Sequence, residues 1–310
     1  MEKEKYMTSN MLPSWNEGTT RQAIVDFVTS TTQKGPNFVD SANRIATFDN
    51  DGTLWVEQPT PPQLDFFLRT WAREAQENPS LRGQQPYKAI IEKDRAFFIA
   101  ALVEQKPEVL MTLEQAIGRS WTGTTPEQFD SQVREFFTTT RDAKFGVIYS
   151  ELVYQPMLEL FDFLKQHEYR VFVCSAGGRD FMRVIAEDTW GIFKENVIGS
   201  APEYEYKDGK LVRQDKVLGR LALGPGKPEH IFARTGRLPM FAGGNGDVDI
   251  EMLEAAQFAL LIVHDDDERE YAYTAGAEKS LAAAAKHGWT IVSMKNDWST
   301  VFKRDPRRVS

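Results

Sequence analysis

The nine residues from Ile45 to Thr53 read Ile-Ala-Thr-Phe-Asp-Asn-Asp-Gly-Thr and place two carboxylates directly after a short apolar run. Side chains alternate along a strand, so Asp49 and Asp51 share one side of the chain where the strand ends. Gly52 lets the backbone turn away from them. Two carboxylates this close repel each other unless a cation or a proton offsets their charge. The pattern indicates either a carboxylate nucleophile with a second carboxylate as acid and base beside Mg²⁺, or an ordinary Asp-Gly turn.

The composition limits the possible partners of the chain. With 310 residues, the chain is long enough for one large domain or for a core with an inserted module. Its net charge of −8 argues against nucleic acid as a partner, because phosphate backbones select basic surfaces. An anionic substrate would need locally focused positive charge or a metal ion. The single cysteine, Cys174, excludes an internal disulfide and a multi-cysteine zinc site.

Targeting and membrane signals are missing from the sequence. No segment is apolar over the length that crosses a bilayer. The stretch Met1–Ser14 is too polar for a secretory signal. The sequence therefore predicts a cytoplasmic protein that has no membrane partner.

Helical patterns dominate the first half of the chain. Residues 18–33 have helical periodicity, with an apolar stripe of Ile24, Phe27 and Val28. From residue 61 to about 140 every pattern is helical, and Pro- and Gly-containing pairs suit the breaks between helices. Four helices are predicted there: Gln63–Glu77, Tyr87–Glu104, Thr112–Ser120 and Pro126–Thr139. We therefore expect an inserted helical module.

The second half of the chain alternates helices with short β-branched or aromatic runs. The predicted strands are Arg170–Cys174, Pro239–Ala242, Phe258–His264 and Thr290–Ser293, and the predicted helices are 150–167, Gly178–Asp188, Val248–Ala256 and Ala277–His287. Such alternation predicts an α/β fold with a parallel sheet and helices on both faces. The exception is Glu203–Gln214, in which Asp208-Gly209 marks a hairpin turn. Open parallel sheets bind ligands at the carboxyl ends of their strands, where Asp49 lies.

Three further stretches combine a strand end or a helix start with polar groups. Ser175 and Ala176 follow an apolar strand, and a hydroxyl and free amides there can bind phosphate oxygens. Lys227 precedes a helix and can counter the charge of a phosphoryl group. The stretch Gly244–Asp249 offers the oxygen ligands that Mg²⁺ prefers. Each has a plain alternative: a serine that eases a turn, a solvated lysine, and a glycine-rich acidic turn without metal.

Together these stretches resemble the four-motif series of the haloacid dehalogenase-like superfamily of phosphatases: Asp-x-Asp-Gly-Thr, a strand-end serine, a lysine before a helix, and Gly-Asn-Gly-x-x-Asp. The resemblance covers most of residues 44–293 and is nearest to the phosphoserine-phosphatase-like branch. It implies a doubly wound, Rossmann-like parallel sheet with an all-helical cap inserted between the first two motifs. Residues 1–60 would then hold the N-terminal helix and first core strand, 61–140 the cap, and 141–310 the rest of the α/β core.

The resemblance also implies roles for individual residues. Asp49 would attack phosphorus and form an aspartyl-phosphate, while Asp51 would protonate the leaving alcohol and then activate water. The phosphoryl oxygens would be bound by Ser175, the amide of Ala176 and Lys227. Mg²⁺, the implied cofactor, would be held by Asp49, the Asp51 carbonyl oxygen, Asn245 and, through water, Asp249. The implied function is hydrolysis of a small phosphorylated metabolite.

One position departs from the family pattern. Asn245 stands where the fourth motif usually has its first aspartate, so its amide oxygen can ligate a metal but brings no charge. Asp247 either restores the missing charge or replaces Asn245 as the ligand, and the strand-end place of Asn245 favours Asn245. The departure also raises an alternative function, a catalytically silent binding protein that kept the fold. The family's substrate-reading glutamate has no clear match for phosphoserine, because Glu57 and Gln58 straddle its spacing.

Overall fold

A parallel sheet lies at the centre of the computed structural model, which describes residues 12–102 and 106–306. Its strands are β1 Ile45–Phe48, β2 Arg170–Gly178, β3 Val197–Ser200, β6 Phe241–Gly244, β7 Phe258–Val263 and β8 Thr290–Ser293. The six strands follow the order β3-β2-β1-β6-β7-β8. Because the order reverses direction between β1 and β6, the sheet is doubly wound. The predicted α/β, Rossmann-like fold is confirmed.

Helices surround this sheet and also fill the chain between β1 and β2. They are α1 Thr19–Thr32, α2 Pro62–Glu77, α3 Tyr87–Glu92, α4 Arg95–Leu102, α5 Pro107–Trp121, α6 Pro126–Thr139, α7 Gln155–Gln166, α8 Arg179–Arg183, α9 Ala186–Trp190, α10 Gly226–Thr235, α11 Ile250–Glu254, α12 Glu278–His287 and α13 Met294–Asp297. Within the described ranges, no helix has the length and apolar character needed to cross a membrane.

Alternate residues of each strand are buried on opposite faces of the sheet. Phe48 of β1 packs on one face, where its ring lies 4.8 Å from that of Phe161 in α7. Ile45 of the same strand packs on the other face together with Cys174 of β2 and Ile231 of α10. Since both faces are covered, all four residues of β1 are buried. The strand ends are therefore the part of β1 that can meet a ligand.

The helices between β1 and β2 pack both on one another and on the core. Trp71, Tyr87 and Leu113 form an apolar cluster among α2, α3 and α5. Phe66 of α2 instead joins the main core, and its ring lies 5.5 Å from that of Phe181 in α8. Ring contacts of this kind add to the burial of apolar area. The predicted helical content of residues 61–140 is thus observed, while the domain boundaries stay a prediction.

Several predicted elements differ from the structure. The helix predicted over Tyr87–Glu104 is interrupted, because Lys93 adopts a left-handed conformation with φ 56°. The last two residues of that prediction lie outside the described residues. The strand predicted over Arg170–Cys174 continues to Gly178. Strand β3, Val197–Ser200, is absent from the prediction because it is short and lies at the sheet edge.

An antiparallel hairpin leaves the core after β3. Its strands are β4 Pro202–Lys207 and β5 Lys210–Val217, which confirms the predicted hairpin. Both turn residues have positive φ, 50° for Asp208 and 79° for Gly209, as a type I′ turn requires. Two backbone hydrogen bonds of 2.9 Å join Arg213 of β5 to the loop between α5 and α6. The hairpin thus links the sheet domain to the inserted helices.

Candidate active site

The candidate site lies at the carboxyl ends of β1 and β6, the neighbouring strands between which the sheet order reverses. Asp49 follows β1 directly, and its backbone N–H donates to the carbonyl oxygen of Gly243 in β6 at 2.9 Å. Asn245 follows β6 in the same way. The fold therefore brings the first and fourth predicted motifs together at one edge of the sheet.

Lys227 is the buried cation of this site. It lies in the first turn of α10, is fully buried, and its Nζ donates to Asp49 Oδ1 at 2.6 Å and to Asp249 Oδ1. Burial by itself lowers the pKa of Lys227, but the two carboxylates outweigh burial, so the pKa rises and the side chain stays charged. The turn before it needs Gly226, because a Cβ there would collide with the Leu221 carbonyl oxygen. The alternative of a solvated lysine is excluded.

Asp249 uses both of its carboxylate oxygens inside the protein. Oδ1 accepts from Lys227, and Oδ2 accepts from the backbone N–H groups of Asn245 and Gly246 at 3.0 Å each. Asp249 is fully buried against Gly244, where a Cβ would lie 2.7 Å from its carboxylate. Asp249 thus joins α10 to the turn that follows β6.

Asp51 lies partly buried beside the indole ring of Trp55. The Nε1–H group of Trp55 donates to Asp51 Oδ1 at 2.8 Å. Burial raises the pKa of Asp51 to about 7, the Trp55 hydrogen bond opposes the rise, and the charge of Glu57 adds to it. A carboxyl group that titrates near neutrality can both donate and accept a proton. Asp51 therefore has the property that a general acid and base needs.

Ser175 lies at the start of a bulge in β2. The register with β3 shifts between Ser175 and Gly178, so Ala176 and Gly177 stand out from the regular ladder. Ser175 is buried, and its Oγ accepts from the N–H group of Gly177 at 3.0 Å. Bulges of this kind redirect side chains and leave backbone groups outside the ladder.

Gln63 of α2 reaches across this bulge from the inserted helices. Its Oε1 accepts from the N–H group of Gly178 at 2.7 Å. A Cβ on Gly177 would lie 2.8 Å from Gln63 Oε1, 3.3 Å from Ser175 Oγ and 4.0 Å from Asp51 Oδ2. The bare glycine therefore makes room for three polar groups that meet at one place. The first and second motifs and the helical insertion all border it.

Two side-chain hydrogen bonds orient the amide of Asn245. Thr53 Oγ1 donates to Asn245 Oδ1 at 3.0 Å, and Asn245 Nδ2 donates to Glu57 Oε1 at 2.9 Å. The hydroxyl of Tyr273 also donates to Glu57 Oε1. The NH₂ end of the Asn245 amide therefore faces Glu57, and its oxygen faces Thr53.

Asp247 points away from the first motif. Its Oδ1 accepts from the backbone N–H group of Ser280 at 2.8 Å, in the first turn of α12. N–H groups in the first turn of a helix have no partner within the helix, so a carboxylate there is stabilising. The arrangement places Asn245, and not Asp247, beside the Asp-x-Asp loop.

A buried histidine contacts the backbone of the first motif. His264 Nε2 lies 2.8 Å from the carbonyl oxygen of Gly52, and His264 Nδ1 lies 3.2 Å from Glu270 Oε2. Tyr154 donates its hydroxyl to the other oxygen of Glu270 at 3.1 Å. Both His264 and Glu270 are buried. The loop after β1 is therefore fixed by a side-chain network as well as by its own backbone.

Negative groups outnumber positive ones in this site. Its four carboxyl groups are those of Asp49, Asp51, Glu57 and Asp249, whereas the cation that forms ion pairs there among the described residues is Lys227, with Asp49 and Asp249. Burial raises the pKa of Asp49, as does the charge of Asp249, whereas Lys227 opposes the rise. An excess of carboxylates favours a bound cation or a proton.

A family model of haloacid dehalogenase-like hydrolases matches residues 46–254, a range that includes every side chain from Asp49 to Asp249. The chain belongs to this family. The expected superfamily membership is confirmed. No curated protein matches the chain in sequence.

Solved structures resemble this haloacid dehalogenase-like hydrolase in fold. A conserved, functionally unknown protein from Anaerococcus prevotii DSM 20548 has 13% identity and a TM-score of 0.57, over 91% of this chain and 93% of that chain. Cytosolic 5'-nucleotidase IIIB bound to cytidine has 11% identity and a TM-score of 0.50, over 88% of this chain and 84% of that chain. A phosphoserine phosphatase in apo form has 17% identity and a TM-score of 0.42, over 82% of this chain and 95% of that chain.

The sequence predicts the charged residues of the site better than the residues that contact and position them. The structure brings together the residues that were singled out: Asp49, Asp51, Ser175, Ala176, Lys227, Asn245 and Asp249. It adds Gln63, Thr53 and His264, which sequence reasoning missed. Thr53 stands in the first motif and so carried a signal, whereas Gln63 and His264 reach the site only through the fold of distant segments.

Removing the buried ammonium group should destabilise this hydrolase. In Lys227→Met, two carboxylates stay buried without their cation, and breaking a buried pair in this way typically costs about 3–5 kcal/mol. The free energy of unfolding, measured by urea denaturation at neutral pH, should fall by that amount. Lys207→Met, at an exposed position of β4, is the control and should change it by less than about 0.5 kcal/mol. Equal stabilities of the two variants would contradict the structural role of Lys227.

Proposed function

We propose that this protein is a Mg²⁺-dependent phosphomonoester hydrolase that acts through an aspartyl-phosphate on Asp49. The observation that carries the proposal is the contact of 2.6 Å between the buried Lys227 ammonium and Asp49 Oδ1. This pairing occupies one carboxylate oxygen and leaves Oδ2 for attack. A cation that already lies beside a nucleophile can stabilise the charge of an arriving phosphoryl group.

In the first step, Asp49 Oδ2 forms a bond to phosphorus as the bond from phosphorus to the ester oxygen breaks. The leaving oxygen takes a proton from Asp51, whose pKa of about 7 allows the protonated form near neutrality. The Ser175 hydroxyl, the backbone N–H group of Ala176 and the Lys227 ammonium donate to the phosphoryl oxygens. The products of this step are the free alcohol and the aspartyl-phosphate.

In the second step, Asp51 acts in the opposite direction. Now ionised, it removes a proton from water as the water oxygen bonds to phosphorus. The bond from phosphorus to Asp49 breaks, which releases inorganic phosphate and restores the carboxylate. The hydrogen bond from Trp55 to Asp51 holds the carboxyl group in place during both transfers. One residue thus serves as acid and then as base.

The donors present suit Mg²⁺. Within the described residues no three His, Cys, Asp or Glu side chains form a ready-made metal cage. Mg²⁺ commonly uses one or two carboxylates together with water and substrate phosphate. We propose that Asp49, the Asp51 carbonyl oxygen and Asn245 hold it. Asp249 would act indirectly, through its hydrogen bonds to the N–H groups of Asn245 and Gly246. When bound, Mg²⁺ would neutralise phosphoryl charge.

We propose that the substrate is a small phosphorylated metabolite and that residues 61–140 act as its cap. Gln63 supports this, because its hydrogen bond of 2.7 Å to Gly178 N–H links α2 directly to the predicted phosphate loop. Caps over such sites exclude water and select substrates as they close. The silent binding protein raised by Asn245 is the weaker alternative, since the nucleophile, the acid–base group and the buried lysine are together.

Two substitutions should separate the roles of the aspartates. Asp49→Asn should abolish hydrolysis of an aryl phosphate, because an amide cannot form the aspartyl-phosphate. Asp51→Asn should lower turnover about 10²–10⁴-fold and should impair hydrolysis of the phosphoenzyme more than its formation. Release of the aryl alcohol and of phosphate, followed with Mg²⁺ and with a chelator, measures both steps. Asp267→Asn, at an exposed position, is the control and should keep full activity. Full activity in Asp49→Asn would exclude Asp49 as the nucleophile.

The metal dependence of activity should distinguish the two candidate ligands in the last motif. Asn245→Ala removes an oxygen donor and should raise the Mg²⁺ concentration for half-maximal activity at least about 10-fold. Asp247→Asn should leave it almost unchanged, because an asparagine oxygen can still accept from Ser280 N–H. If Asp247→Asn eliminates the metal dependence and Asn245→Ala retains it, Asp247 is the ligand.

A further inference from the structure

The amide of Asn245 has two chemically different ends, and the protein fixes which end faces where. An aspartate at this position would offer two equivalent oxygens, whereas an asparagine offers one acceptor and one donor. The Nδ2 atom lies 2.9 Å from Glu57 Oε1, and Oδ1 lies 3.0 Å from Thr53 Oγ1. An amide oxygen with two lone pairs keeps one free after it accepts from Thr53. Glu57 therefore decides which end of Asn245 is open to a metal.

Glu57 has no cationic hydrogen-bond partner among the described residues. Its partners among the described residues are two neutral donors, the Asn245 amide and the Tyr273 hydroxyl. Lys227, the cation of the site, instead pairs with Asp49 and Asp249. A partly buried carboxylate without a cationic partner is costly unless a cation binds nearby.

The backbone is shaped so that Glu57 and Asn245 can meet. Gly52 has φ 71°, a conformation that favours glycine. A Cβ at Gly52 would collide with Asn245 Nδ2 and would lie 2.6 Å from Glu57 Oε1. The glycine of the first motif thus opens the space in which the amide and the carboxylate make contact. The pairing follows from the path of the loop and does not depend on a flexible surface side chain.

We propose that Glu57 and Asn245 act as one unit, in which Glu57 supplies the negative charge that Asn245 lacks and holds the amide with its oxygen toward Mg²⁺. This inference rests on the proposed metal-dependent function. It assigns to Glu57 a positioning and electrostatic role toward the metal. The substitution Asn245→Asp would place two carboxylates about 2.9 Å apart. Like charges at that distance repel and do not simply strengthen metal binding.

The test uses charge exchange between the two positions. Glu57→Gln should weaken Mg²⁺ binding about 10–100-fold, the range typical of residues that orient a metal ligand. Asn245→Asp should lower the melting temperature of the Mg²⁺-free protein, since it adds an unpaired carboxylate. The double variant Asn245→Asp, Glu57→Gln restores one carboxylate and one amide with their places exchanged, and both properties should return toward wild type. Isothermal titration calorimetry with MgCl₂ and thermal unfolding measure them without reference to activity.

Tyr273→Phe is the matched control. It removes the second donor to Glu57 but leaves the contact with Asn245, so its Mg²⁺ affinity should stay within a few-fold of wild type. If Glu57→Gln binds Mg²⁺ with wild-type affinity, this inference is wrong, but the proposed function is unaffected. Failure of the double variant to regain affinity would show that Glu57 acts through local structure and would also overturn it. If the wild-type protein binds no Mg²⁺, the proposed metal dependence fails as well.

Discussion

A single buried ammonium group joins the segments that form the candidate active site. Lys227 has no exposed surface, and it bonds one carboxylate at the end of β1 and another behind the turn after β6. Burying these charges is costly, so the cost must be offset by the pairing and by the hydrogen bonds to Asp249. Those bonds, from the N–H groups of Asn245 and Gly246, also set the shape of the turn. Three distant segments of the chain are thereby fixed to one charge.

Much of the fold could be predicted because local signals and tertiary packing agree. Pro126–Thr139 was bounded correctly, since Thr125 forms a capping box and proline occupies the first helical position. Thr290–Ser293 was also correct. Strand Val197–Ser200 was missed, because four residues at a sheet edge carry too little periodicity to be recognised. The extension of β2 to Gly178 depends on a bulge against that missed strand.

The site could be predicted to the extent that its chemistry is written in short motifs. Polar residues at neighbouring strand ends lie at one edge of a doubly wound sheet, so Asp49 and Asn245 could be placed from the pattern. The directions of the side chains could not be predicted, because they depend on segments that are far away in sequence. Asp247 turns to the start of α12, and Glu57 turns to Asn245 because Gly52 leaves room for it. These partners are set by packing and not by spacing.

The most direct test is the chemical identity of the residue that carries phosphate during turnover. The protein is mixed with an aryl phosphate and Mg²⁺, quenched, and treated with borohydride, which reduces an acyl phosphate on aspartate to homoserine. Peptide mass spectrometry then locates the modified residue. The proposed chemistry predicts homoserine at the position of Asp49 and at no other aspartate. Rapid turnover with an unmodified Asp49, or with the modification at a different carboxylate, would contradict it.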